Sequence, residues 1–177
     1  MKNNKHYQHL PHIDIKGSYQ FITFRTKESL DAYLKQLYRS NDAPKIKQYK
    51  MDQYLDRSEN GALLNGRIAE RIKAYYLDYD KAAFELEAIT VMPNHIHVLI
   101  RQNSDLSSVV RILKGGAAHI VNEVLGRKGA VWSRDYYDKA IRDEKHYWIV
   151  YEYIKYNAVK AGLSDAGNRF YGRYEGG

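Results

Sequence analysis

Alternating apolar and polar positions mark some stretches of the chain, and apolar positions at helical spacing mark others. "GSYQFITFRT" (17–26) alternates and predicts a strand. "KESLDAYLKQLYRS" (27–40) sets Leu30, Tyr33, Leu34 and Leu37 at helical spacing. A polar, charged stretch over 41–61, punctuated by Pro44 and Gly61, reads as a surface insertion or loop. A second helix is expected from about 62 to 79, with Leu64, Ile68, Ile72 and Tyr75 on one side. "AAFELEAITVM" (82–92) alternates again, Pro93-Asn94 supplies a tight turn, and "HIHVLI" resumes as the partner strand of a hairpin. Residues 104–125 carry the cleanest helical stripe: Leu106, Val109, Val110, Leu113, Ala117, Ile120, Val121 and Val124. Ser104 is the expected N-cap, and Gly126 and Gly129 end the helix. "AVWSRDYYDKAIR" (130–142) predicts an irregular strand, and Asp143 caps a last helix over 144–161 that stops at Gly162.

The order is strand, helix, strand, strand, helix, strand, helix. That is the split βαβ pattern of a ferredoxin-like α+β sandwich: an antiparallel sheet with helices on it and an extra C-terminal helix. The expected organisation is an N-terminal arm (1–16), one domain (17–163) and a short C-terminal tail (164–177).

Composition narrows the function classes. The 177 residues carry a net charge of +7, which favours polyanionic partners, nucleic acid first. There is no cysteine, so disulfides, thiol catalysis and cysteine-ligated zinc are excluded. The first residues lack an apolar core of signal-peptide length, and Lys114 interrupts the best membrane-span candidate, so a soluble cytoplasmic protein is expected. Seventeen tyrosines are unusual; most should pack at the core edge, and a few are free to stack on bases or act as nucleophiles.

Two histidines stand one residue apart in the strand "HIHVLI". Side chains at i and i+2 of a strand share a face, so His95 and His97 project together, with Cβ atoms roughly 7 Å apart. Ile96, Val98 and Ile100 take the core face. Two imidazoles on one strand suit a divalent metal ion; hydrogen-bonded histidines without a ligand are the plainer alternative. On the last helix Tyr147, Val150, Tyr151, Ile154 and Ala158 form the buried stripe. Tyr153 lies about one hundred degrees round from Ile154, with Asn157 one turn on and Lys160 beyond it. By itself this helix reads more simply as carrying a boundary tyrosine beside a surface amide.

Three blocks together resemble a known family: "VMPNHIHVLI" (91–100), "VWSRDYYDKAIRDE" (131–144) and "YIKYNAVKAGL" (153–163). A histidine–hydrophobic–histidine strand followed by a helical tyrosine with an amide at i+4 is similar to the single-tyrosine HUH transposases, and closest to the branch associated with REP elements. The resemblance spans roughly 17–163. It implies a ferredoxin-like enzyme that cleaves and rejoins single-stranded, hairpin-forming DNA. It also implies His95 and His97 as ligands of Mg²⁺ or Mn²⁺, Tyr153 as nucleophile through a 5′-phosphotyrosine, and Asn157 as the third metal-side group. The family usually carries Asn-Pro-Val where this chain has Asn157-Ala158-Val159; without the proline, Asn157 is free to sit deeper in a regular helix. REP-associated relatives are closer to monomers, so a monomer is expected ahead of a homodimer.

Arg111, Lys114, Arg134, Arg142 and Lys160 are the candidate phosphate contacts. Gly115 and Gly116 within the long helix call for a close backbone approach or a kink. A nuclease-inactive nucleic-acid-binding protein, a small metallohydrolase using water and a purely structural module are the rival readings.

Overall fold

The computed structural model describes residues 15–175. Its elements in chain order are β1 (Tyr19–Arg25), α1 (Ala32–Arg39), α2 (Pro44–Arg57), α3 (Arg67–Asp78), β2 (Phe84–Val91) and β3 (His95–Gln102). They continue with α4 (Leu106–Leu125), β4 (Tyr137–Ala140), α5 (Glu144–Lys160), α6 (Ala166–Arg169) and β5 (Phe170–Gly172). The strands form one antiparallel sheet in the order β4-β1-β3-β2-β5. Residues 1–14 of the expected N-terminal arm lie outside the described residues.

The sheet is buried on both faces, and the alternation of β3 divides them. Ile96, Val98 and Ile100 join Ile22, Phe24, Leu86, Ile89 and Val91 in a core covered by α3 and α4. Phe21, Ala88 and Leu99 take the other face, under Tyr147, Val150, Tyr151 and Ile154 of α5. His95 and His97 alternate with Ile96 and Val98, so they point to the α5 side. The stripes expected on α4 and α5 are the buried ones, Val124 being half-buried.

Several boundaries differ from the pattern. Residues 44–57 form a helix where a loop was expected. Pro44 occupies the first turn, where its missing N–H and fixed φ favour a helix start, so the residue read as punctuation is an initiator. Only Met51, Asp52 and Leu55 of α2 are buried, so the helix has a weak apolar face. Met51 and Leu55 pack with Leu34 and Leu37 of α1 in a small cluster separate from the two main cores. Asp105, rather than Ser104, caps α4 by accepting from Ser108 N; the Ser104 hydroxyl donates to Ala83 O. In the predicted 130–142 strand only Tyr137–Ala140 pairs regularly, and Trp132 bridges to Thr26.

The expected C-terminal tail is part of the fold. β5 pairs with β2 from Ala88 to Thr90. Arg169, 3% exposed, donates to the carbonyls of Leu64 and Val91 and to Asn65 Oδ1, and is paired with Asp165. These contacts are long-range, so no local pattern announces them. Gly116 answers the glycine question: a Cβ there would lie 1.9 Å from the Tyr75 ring of α3, whereas one on Gly115 would meet open space. The close approach is to a neighbouring helix.

Candidate functional site: a histidine pair under two helices

His95 and His97 are both fully buried, with ring centroids 4.8 Å apart. Each ring is oriented through Nδ1. His97 Nδ1 lies 2.7 Å from Thr23 Oγ1, its neighbour across the β1–β3 register. His95 Nδ1 lies 2.8 Å from Asn94 Oδ1. Asn94 uses its Nδ2 on the carbonyls of Leu55, Ser58 and Asn60, so its Oδ1 is the acceptor and His95 Nδ1 carries the proton. The other ring nitrogen, His95 Nε2, faces α2. Neither Nε2 has a hydrogen-bond partner. Burial pushes the His97 pKa well below its ordinary value, with His95 adding to the effect, so its ring is neutral at pH 7.

Oriented imidazoles with unpartnered Nε2 atoms fit the requirements of metal ligation, in which the far nitrogen is held by a polar neighbour. Asp56 Oδ1, on α2, lies 3.4 Å from His95 Nε2 and also lacks a hydrogen-bond partner. Among the described residues, no group of three or more His, Cys, Asp or Glu side chains is drawn together tightly enough to form a complete cage.

α5 lies across this face. The Tyr153 ring packs edge-on against His97, centroids 5.2 Å apart, and against Phe21 at 6.0 Å. Its hydroxyl donates to Asp52 Oδ2 at 2.8 Å. Burial raises the phenol's pKa, and the Asp52 charge raises it further. Asp52, 5% exposed, is pushed up to about 6 by burial, against the pull of His95 and the Tyr153 hydrogen bond. Asn157 is 3% exposed one turn on from Tyr153, and its Oδ1 has no hydrogen-bond partner. With Ala158 in place of proline, α5 runs regularly through it to Lys160. Phenol, two imidazoles, two carboxylates and a buried amide therefore stand on one face of the sheet.

Residues 57–157 match the family described as "Transposase IS200 like". The chain belongs to the IS200-like transposase family. A Haemophilus influenzae protein named "Putative REP-associated tyrosine transposase" is 28% identical over 119 residues, covering 54% of this chain and 68% of that one. An "Uncharacterized protein" of the same organism is 29% identical over 101 residues, 42% of this chain and 54% of its own length. The match thus spans about half of one of these relatives and about two thirds of the other. A solved structure titled "Structure of the REP associates tyrosine transposase bound to a REP hairpin" superposes with a TM-score of 0.50 at 22% identity. It covers 89% of this chain and 76% of that one, and establishes likeness of fold.

In this family member a cleft of about 410 Å³ opens beside Tyr153 and Asp52, lined by Lys45 of α2, Lys139 of β4, and Arg142, Lys145 and His146 around the start of α5. Burial lowers the Lys139 pKa, with Lys45 and Arg142 adding to the effect; burial, Lys139 and Arg142 do the same to His146. Four cations thus crowd one cleft, with Asp52 and Asp143 also in its lining. Tyr49 and Ile149 add exposed apolar surface to the same cleft.

The five basic residues expected from the sequence separate. Arg142 lines this cleft, and Lys160 lines an adjoining one that also contains Tyr153. Arg134 is exposed in the loop before β4. Arg111 and Lys114 belong to α4, on the opposite face of the sheet from the histidines. Lys114 is half-buried and donates to Ser133 O at 2.9 Å, so it braces the 131–134 loop. Sequence reasoning missed Asp52 and Asp56, because α2 was taken for a loop, and Asn94, which was taken for a turn residue only. Their spacing from one another was legible; their meeting with His95 and Tyr153 was not. No described helix is long and apolar enough to cross a membrane.

Proposed function

We propose that this family member cleaves and rejoins single-stranded DNA through a covalent bond to Tyr153, with a divalent ion, Mg²⁺ or Mn²⁺, held by His95 and His97 and flanked by Asn157. The observation that carries this reading is the packing of the Tyr153 ring on His97 beside two unpartnered imidazole nitrogens. The four-strand core β4-β1-β3-β2 is read as ferredoxin-like, with α5 as the added helix that brings the tyrosine.

The bound ion would draw charge from a non-bridging phosphate oxygen as it develops. Tyr153 Oη attacks phosphorus while its proton passes to Asp52, whose pKa of about 6 suits a base near neutral pH. The bond from phosphorus to the 3′ oxygen breaks, and that oxygen takes a proton from water. The products are a 5′-phosphotyrosine and a free 3′-hydroxyl. The covalent link conserves the phosphodiester's bond energy, so rejoining needs no nucleotide cofactor. Lys45, Lys139, Arg142 and Lys145 line the strand's approach, and Tyr49 offers an aromatic face for a base. The solved relative was captured with a REP hairpin, and a hairpin-forming single strand is the substrate class we assign here. The protein acts within the cell, as a monomer in preference to a dimer.

The test is incubation of the full chain with hairpin-forming single-stranded DNA and Mn²⁺, followed by a denaturing gel. A slower protein band that disappears in Tyr153→Phe is expected. Cleaved DNA without that band would overturn the covalent route.

A further inference from the structure

We propose that Asp56 of α2 is a third protein ligand of the divalent ion held by His95 and His97. The inference deepens the reading above and rests on it only for the ion's use, not for its binding. Asp52 and Asp56 both precede the 57–157 stretch that matches the family.

The geometry starts from Asn94. Its amide ties three carbonyls at the end of α2 and the following turn, those of Leu55, Ser58 and Asn60, at 3.1, 3.1 and 3.3 Å. Leu55 lies in the last turn of α2, where its carbonyl also accepts from Ser58 N at 3.3 Å, and Ser58 and Asn60 follow the helix. The same side chain takes the His95 Nδ1 proton. One residue therefore fixes both the end of α2 and the imidazole beside it. The result is that His95 Nε2 faces the carboxylate oxygen of Asp56 at 3.4 Å. Both atoms are buried, and neither has a hydrogen-bond partner. A buried imidazole nitrogen held against a buried carboxylate oxygen needs a proton or a metal cation between them.

The spacing suits an ion. Ligand atoms about 2.1 Å from one ion and at right angles to each other stand about 3 Å apart. His97 Nε2, also unpartnered, supplies the other nitrogen from the same strand face. Asp52 does not compete, because it already accepts from Tyr153 and from Gln48. Residues four apart on a helix share a face, so α2 presents one carboxylate to the nucleophile and the other to the ion.

The chemistry also favours a carboxylate. Magnesium and manganese prefer oxygen ligands, and two neutral imidazoles alone are a weak set for them. With one carboxylate the loaded centre retains a net positive charge toward phosphate. A helix outside the two main cores thereby becomes part of the site.

The experiment is calorimetric titration of the full chain with Mn²⁺, with no DNA present. The wild type is expected to bind one ion. Asp56→Asn, which preserves shape and removes the charge, should weaken binding by about tenfold or more. Asp56→His should keep one-site binding and shift preference from Mn²⁺ toward Co²⁺ or Zn²⁺. Asp56→Asn within about twofold of wild type, or Asp56→His with unaltered metal preference, would overturn the assignment. So would a wild type that binds no more ion than His95→Ala, in which case a proton rather than a metal bridges the pair. Adduct formation on hairpin DNA is scored separately. A wild type that binds the ion but forms no adduct sinks the covalent reading and leaves the ion site standing.

Discussion

Replacing Asp52 by asparagine separates what this carboxylate costs the fold from what it does for the phenol. Burial lifts its pKa from 3.8 to about 6, even with His95 and the Tyr153 hydroxyl pulling the other way. A raised value means that the folded state holds the proton more tightly than the unfolded chain. The stabilisation is complete below the unfolded value of 3.8 and is lost as pH rises through about 6. At about 1.36 kcal/mol per unit, the loss above neutrality approaches roughly 3 kcal/mol. Asparagine is uncharged at every pH and keeps a carbonyl oxygen for the Tyr153 hydroxyl, so it should recover much of that. In metal-free buffer near pH 7.5 the variant is expected to melt on the order of 5–10 °C higher than wild type, since 1 kcal/mol shifts a domain of this size by about 2–4 °C. The difference should shrink toward zero near pH 4. Adduct formation should slow by on the order of 10²-fold, the lower range of general-base contributions. Scanning calorimetry across pH and gel time courses read the two halves. A variant that melts no higher than wild type near pH 7.5 refutes the buried charge. One that melts higher but forms adduct at the wild-type rate refutes the base.

Two further outcomes follow from packing and charge. Gly116→Ala should destabilise by roughly 1–3 kcal/mol, because its Cβ enters the Tyr75 ring, whereas Gly115→Ala should stabilise by up to about 1 kcal/mol through helix propensity. Urea unfolding of the pair checks this, and equal effects would contradict the contact. Replacing Lys139 and Arg142 together by glutamine should weaken single-stranded DNA binding and lower the slope of log affinity against log salt by about 1.4, at about 0.7 per phosphate contact. Fluorescence anisotropy across salt concentrations measures it, and an unchanged slope would remove these two residues from the interface.

The stripe on α5 shows how much of the site is local information. The spacing of Tyr147, Val150, Tyr151, Ile154 and Ala158 identifies its buried side, and that leaves Tyr153 at the flank of the helix. The alternation of β3 likewise sends His95 and His97 away from Ile96 and Val98. Both follow from backbone periods that each segment obeys alone. Arg111 and Lys114 show the limit. Their basic character is plain in the sequence, but it does not say on which side of the sheet α4 will pack, and α4 packs away from the histidines.

The sequence by itself determined the elements that carry strong periodic faces: the β2–β3 hairpin, α4, α5 and the shared direction of the histidine pair. The reason is that apolar burial acts on every turn or every second residue, so it leaves a regular mark. Tertiary structure alone decided that α2 closes over the site, that β5 and Arg169 complete the sheet edge, and that Asn94 links His95 to the end of α2. Those outcomes rest on single polar contacts between residues distant in the chain, and one hydrogen bond writes no period into a sequence.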